Sequence, residues 1–362
     1  MKLAILGTRG VPNFHGGFEQ FAEYFSVYMA SKGHEIYVYS PHNHPFKENK
    51  FKGVNIIHCY DPEHKVGTFG QFIYDLNCIL DSRRKAFDII LQLGYTSSSV
   101  WGWLLPKKAF ILTNMDGLEW KRSKYSPRVR KFLKYAEKWG VKYSDHLIAD
   151  SLGIQEYLKL EYQKDSTYIP YGAEVFETPN PEILNSYELS PYAYNMLIAR
   201  LEPENNIETI LDGISMDPNK TCFLVVGKHE TAYGEYLKDR YSASEHIKFL
   251  GGIYDIRALD NLRYYSQLYF HGHSVGGTNP SLLEAMASNA LIIAHNNIFN
   301  RSILENDAFF FDTSEDVLRL LRNSKSEHQT WISNNISKIR SLYSWDLINR
   351  KYEKLMEDCL ER

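Results

Sequence analysis

Along this chain short apolar runs recur, each followed by a loop and then by a stretch with helical periodicity. The first run, Leu3-Ala4-Ile5-Leu6, stops at Gly7. A loop with Arg9-Gly10, Pro12 and Gly16-Gly17 follows, then a helical pattern from about Phe18 to Ser31 and a second apolar run from Glu35 to Ser40. Strand, loop, helix, strand is a βαβ opening and predicts a parallel sheet. Further strands are expected at Val54 to Cys59, Asp88 to Leu91, Ala109 to Thr113, His146 to Ala149 and Thr167 to Ile169. The acidic, proline-bearing stretch GAEVFETPNPE, Gly172 to Glu182, breaks the alternation and reads as an interdomain linker. The pattern then restarts, with strands expected at Met196 to Ala199, Thr221 to Val226, Ile247 to Phe249, Leu268 to Phe270 and Leu291 to Ala294, and it closes on a helical segment from about Trp345 to Leu360. Two doubly wound α/β domains are therefore expected, their strand-end loops facing a shared cleft where ligands bind.

Length agrees with this division, because 362 residues exceed what one hydrophobic core usually serves. The expected boundaries are 1–172, 173–344 and a C-terminal helix at 345–362 that packs back across the domains. Four singly placed cysteines, Cys59, Cys78, Cys222 and Cys359, suit neither a disulfide framework nor a zinc site and point to a reducing compartment. The opening apolar run is too short for a signal peptide, and no stretch approaches the roughly 20 apolar residues of a membrane span. Net charge is only -3, yet KRSKYSPRVRKFLK gathers Lys121, Arg122, Lys124, Arg128, Arg130, Lys131 and Lys134 without an acid.

The most informative local pattern lies after the fourth strand of the second half. There HGHSVGGTNP, His271 to Pro280, leads into the helix SLLEAMA. Asn279 is a favoured N-cap and Pro280 suits the first helical position. Gly276, Gly277, Thr278 and Asn279 can bring backbone N–H groups close to an anion, with the helix dipole behind them, which makes this a cradle for a diphosphate. A flexible loop ahead of a well-capped helix is the plainer reading. Glu284, one turn inside, is either a dipole partner or an acceptor for the hydroxyls of a nucleotide ribose.

Four blocks in order, GTRGVPNFHGGFEQFAE (Gly7 to Glu23), NMDGLEWKRSKYS (Asn114 to Ser126), ARLEPENN (Ala199 to Asn206) and HGHSVGGTNPSLLEAMA (His271 to Ala287), together with the terminal YSWD, resemble the GT-B glycosyltransferases of family 4. The likeness is to a bacterial branch that includes rhamnosyltransferases of cell-wall and capsule polysaccharide synthesis. The resemblance implies that Glu284 binds ribose and that Arg200, directly after the first strand of the second domain, clamps the donor diphosphate. It also places Gly16 and Gly17 against the donor phosphates or the acceptor, although a Gly-Gly pair equally well only lets a loop turn. Two charged family residues are replaced here: the first Glu of the family motif by Gly276, and the loop Lys by Asn205.

Asp116, in an Asp-Gly pair after an expected strand, is either a turn residue or a contact for the transferred sugar or acceptor. His271 and His273, two apart and without a carboxylate or cysteine set, are weak metal ligands. No two aspartates are separated by one residue, and neither a metal nor another cofactor is expected. The basic run, interleaved with Trp120, Tyr125, Phe132, Tyr135 and Trp139, is read as a surface for anionic lipid rather than nucleic acid, its plainer alternative being a solvated helix face. The expected activity is retaining transfer of a sugar, L-rhamnose from dTDP-rhamnose, onto a lipid-linked saccharide, by a cytoplasmic protein peripheral to the inner face of the membrane. A nucleotide-sugar 2-epimerase of the same architecture and a non-catalytic sugar-nucleotide-binding protein are the alternatives.

Overall fold

The computed structural model describes every residue except His15, Ser123 and Arg362; His15 of the first glycine loop and Ser123 of the basic run thus lie outside the described residues. The chain forms two compact units. One comprises Met1–Lys121, Tyr125–Tyr171 and Trp345–Arg362, the other Arg122–Lys124 and Gly172–Ser344.

The first unit is built on an eight-stranded sheet in the order β3-β4-β2-β1-β5-β6-β7-β8. Its strands are β1 (Lys2–Leu6), β2 (Glu35–Pro41), β3 (Lys50–Phe51), β4 (Val54–Cys59), β5 (Ile89–Leu93), β6 (Phe110–Asn114), β7 (His146–Ala149) and β8 (Ser166–Tyr168). All pairings are parallel except β3 with β4. Continuous apolar strands such as β1 and β5 are what a sheet covered on both faces requires, and β5 is buried at every position. The short β3 was not foreseen, because two residues carry no periodicity. It is a hairpin partner of β4 made by Lys52 and Gly53, both at positive φ.

The second unit has a six-stranded, wholly parallel sheet in the order β11-β10-β9-β12-β13-β14. Its strands are β9 (Tyr194–Ile198), β10 (Cys222–Val226), β11 (Ile247–Gly251), β12 (Tyr269–His271), β13 (Ile292–His295) and β14 (Phe309–Phe311). The core between sheet and helices is made by residues such as Leu197, Ile210, Phe223, Phe270, Ile293 and Phe311. The strand β14, Phe-Phe-Phe, also escaped the sequence pattern: it is too short to alternate. Both units are thus Rossmann-like α/β layers.

The helix Trp345–Leu360 follows the second unit in sequence but packs on the first. Tyr352 lies 4.6 and 5.2 Å from the rings of Phe21 and Phe25, Trp345 stacks on Tyr24 at 4.6 Å, and the Tyr28 hydroxyl donates to Glu353 at 2.6 Å. Its amphipathic pattern is therefore satisfied by helix Gly17–Ser31.

Candidate functional site

In an open parallel sheet the ligand crevice lies beyond the carboxyl ends of the strands, where the chain reverses its direction of winding. In the second unit the chain runs from β9 outward to β10 and β11, then returns to place β12 on the other side of β9. The winding therefore switches between β9 and β12. The residues that leave those two ends are Arg200 and the loop from His271 to Asn279.

Arg200 is exposed, and among the described residues no hydrogen bond or ion pair engages its guanidinium. Its backbone is fixed instead. The Arg200 carbonyl accepts from the Glu202 N–H at 2.8 Å and from the Asn205 side-chain amide at 2.7 Å. Asn205 is buried, so this residue supports the turn that presents Arg200 and does not itself face solvent. The β9 and β12 loops are stitched together by Asn206 Nδ2 donating to the Gly272 carbonyl at 2.8 Å and by Ser274 Oγ donating to the Glu204 carbonyl at 2.7 Å. A Cβ on Gly272 would meet the Asn205 carbonyl oxygen at 2.0 Å, which explains the glycine there.

Gly276 adopts φ +124 with open space around it, a backbone that a glutamate does not take without strain. Helix Pro280–Ala287 starts as its sequence requires, Asn279 Oδ1 accepting from the Ser281 N–H at 2.9 Å and Pro280 occupying the first turn.

His271 and His273 stack face to face, centroids 4.4 Å apart. His271 is buried with neither ring nitrogen hydrogen-bonded, and Nδ1 of His273 is likewise buried and unpaired. Burial holds His271 well below the ordinary histidine range and, with Arg200 and Arg122 nearby, takes His273 down to about 3. Both are neutral rings at physiological pH. Among the described residues, the one group of His, Cys, Asp and Glu side chains close enough to share an ion is His34, Glu353 and Glu357, in the first unit.

Glu284 is held by a residue that sequence reasoning missed. Arg263, in helix Ile256–Tyr265, is wholly buried, with one guanidinium nitrogen on Glu284 Oε2 and the other 3.0 Å from Asp260 Oδ1. A charged residue inside an ordinary amphipathic pattern gave no signal; only the packing of two helices brings it to Glu284.

In the first unit, Gly16 and Gly17 lead from β1 into helix Gly17–Ser31, and Asp116 follows β6. Glu19 closes the β1 loop by accepting from the Arg9 N–H at 2.7 Å. Asp116 sits at φ +51 with its N–H on Asn114 Oδ1 at 3.0 Å, an Asx-type bond made by the Asn114 side chain at the end of β6.

The basic run is less uniform than its sequence suggests. Acids outside the run, one of them three residues beyond it and the others distant in sequence, meet three of its members, which corrects the expectation of an unopposed seven-charge surface. Arg122 lies 3.6 and 3.7 Å from Glu202 and Glu204, Lys124 2.7 Å from Glu202, and Lys134 3.0 Å from both Glu137 and Glu161. Lys121, Arg128 and Lys131 remain exposed, while Arg130 Nε donates to the Tyr125 carbonyl at 2.9 Å.

Residues 185–337 match the family profile Glycosyl transferases group 1, and residues 104–174 match a domain of unknown function, DUF1972. No curated protein matches the chain. Among solved structures it is similar to sucrose-phosphate synthase from Thermosynechococcus elongatus, at TM-score 0.80 and 16% identity over 99% of each chain. It is also similar to Anabaena HepE in complex with UDP-glucose, at TM-score 0.78 and 14% identity over 98% of this chain and 99% of that one. A third is WaaG, a glycosyltransferase involved in lipopolysaccharide biosynthesis, at TM-score 0.72 and 13% identity over 98% of this chain and 99% of that one. Two Rossmann-like units with these likenesses define the GT-B fold. With a group 1 domain spanning most of its second unit, the protein is a glycosyltransferase.

Proposed function

We propose that the protein is a retaining transferase that moves L-rhamnose from dTDP-rhamnose onto a lipid-linked saccharide during bacterial cell-surface polysaccharide synthesis. The observation that carries this reading is the switch point of the second unit, where an exposed arginine, a glycine loop and a capped helix start meet a part-exposed carboxylate. Arg200 and the backbone of Gly276, Gly277, Thr278 and Asn279 hold the diphosphate, and Glu284 accepts from the pentose 3'-hydroxyl, which the deoxyribose of dTDP keeps. HepE, of the same fold, holds UDP-glucose in its structure, which supports a nucleotide-sugar donor here. Gly16, Gly17 and Asp116 serve the acceptor side. In the transfer the acceptor oxygen bonds to the anomeric carbon as the bond from that carbon to the phosphate oxygen breaks. The acceptor proton passes to the leaving phosphate. The protein supplies position and charge stabilisation and needs no metal for these steps.

Thermal unfolding with a panel of dTDP-, UDP- and GDP-sugars tests the donor. A ligand at about 100 times its Kd adds about 2.7 kcal/mol to the folded state, and dTDP-rhamnose is expected to give the largest shift. A larger shift with a UDP- or GDP-sugar replaces the proposed donor, and no shift with any of them defeats the donor-site reading.

No helix among the described residues is long and apolar enough to cross a membrane. We place the lipid-facing surface on helix Pro127–Tyr143, where Arg128, Lys131, Tyr135, Lys138 and Lys142 are exposed at spacings that share one face. Each basic residue near an anionic surface contributes about 1 kcal/mol. Replacing Arg128, Lys131 and Lys138 by Glu is therefore expected to abolish co-sedimentation with vesicles containing phosphatidylglycerol; unchanged co-sedimentation rules this face out.

A further inference from the structure

A guanidinium taken entirely out of water is expensive to bury, and replacing a buried ion pair by apolar side chains is often neutral or stabilising. Arg263 is such a group. Its side chain is 1% exposed, its Nε has no hydrogen-bond partner, and its two terminal nitrogens reach carboxylates of different elements. Asp260 lies one turn earlier in the same helix, itself bonded by Ser288 Oγ at 3.2 Å. Glu284 comes from helix Pro280–Ala287 and keeps 18% of its side chain exposed. The Glu284 carboxylate thus straddles a boundary, Oε2 anchored inside on Arg263 while part of the side chain reaches solvent. A second contact stiffens the same helix, the Tyr269 hydroxyl lying 2.7 Å from Ser281 Oγ. Stability alone does not call for this arrangement.

We propose that Arg263 is a positioning residue for the nucleotide: it locks the Glu284 side chain in one rotamer so that its carboxylate meets the nucleotide's pentose, through the 3'-hydroxyl that dTDP and UDP share, already oriented. The inference rests on the assignment of Glu284 as the pentose acceptor. A free glutamate loses considerable rotamer freedom when it is ordered; one held in advance by a charged donor, itself fixed through its other nitrogen on Asp260, loses little on binding, and the saving appears as affinity. Arg263 touches no substrate and acts only through Glu284.

A double-mutant cycle on the full chain separates this from a structural role. Binding of UDP and of dTDP is measured by calorimetry for wild type, E284Q, R263M and the double variant, together with donor KM and kcat. E284Q and R263M are each expected to weaken the tighter of the two nucleotides by about 10- to 100-fold, the range for hydrogen bonds to a charged group. In the E284Q background R263M should add less than about twofold, since its effect passes through that carboxylate. Donor KM rises with kcat nearly unchanged, as for lost uniform binding. R263K, which keeps the charge and leaves the fold least disturbed, is expected to fall between wild type and R263M. It carries the same comparison if R263M does not fold. An equal loss from the Arg263 substitution in both backgrounds, or wild-type affinity in R263M, overturns the positioning role alone. Wild-type affinity in E284Q overturns the pentose assignment and this role with it.

Discussion

Arg200→Ala is expected to lower kcat by about 10²- to 10³-fold, the range for removing one pre-organised charge-stabilising donor from a transfer site. Its melting temperature should stay close to wild type. The two halves of that expectation come from different features. The guanidinium is exposed and holds nothing else in place, so its loss opens no cavity and orphans no buried acid. The turn beneath it depends on the Arg200 carbonyl, which Asn205 and Glu202 continue to hold at 2.7 and 2.8 Å whatever the side chain. Loss of the cation is felt most in the transition state, when charge develops on the leaving diphosphate. Arg200→Lys should recover only part of the activity, because a point charge replaces a planar fork. Steady-state kinetics beside a thermal melt decides the matter: near-normal transfer by the alanine variant ends the clamp assignment.

Glu137→Ala is expected to destabilise the first unit by about 3–5 kcal/mol, the range for breaking a buried charged pair. Its carboxylate is 1% exposed and accepts from Trp120 Nε1 at 3.0 Å, Tyr157 at 2.6 Å, Tyr162 at 2.5 Å and Lys134 at 3.0 Å. The Lys134 ammonium also lies 4.8 Å from the Trp120 and Tyr157 ring centroids. Removing the carboxylate leaves the Tyr157 and Tyr162 hydroxyls and the Trp120 indole without their shared acceptor, and the Lys134 ammonium with Glu161 as its remaining carboxylate. Urea unfolding followed by Trp fluorescence reads this directly, since Trp120 is in the cluster. A loss under about 1 kcal/mol, as for an ordinary surface change, would show that water replaces the carboxylate without penalty.

The sequence made the two sheets legible because the parallel strands are short, mostly apolar segments set off by loops and helix-length stretches. It missed β3 and β14, which are two and three residues long and too short for any period. The glycine loop and its N-cap were readable because they obey local rules of turns and helix starts, and Arg200 because it follows an expected strand, its role coming from the resemblance alone. Arg263 was not, since its importance is a matter of which helix packs beside Glu284. Charge patterning misled for the same reason: Arg122, Lys124 and Lys134 look unopposed in sequence because Glu202, Glu204, Glu137 and Glu161 lie outside the run. Asn205 illustrates a subtler limit. Its place beside Arg200 was legible, but whether it faced the ligand or the backbone required the fold.

The docking of Trp345–Leu360 onto helix Gly17–Ser31 sets an order of events during synthesis. Phe21 and Phe25 emerge from the ribosome early, yet the Tyr352 ring that covers them arrives only after the whole second unit has been made, a delay on the order of ten seconds or more. For that interval the nascent first unit carries an uncovered aromatic seat. That opens it to chaperone binding or to association with another unfinished copy.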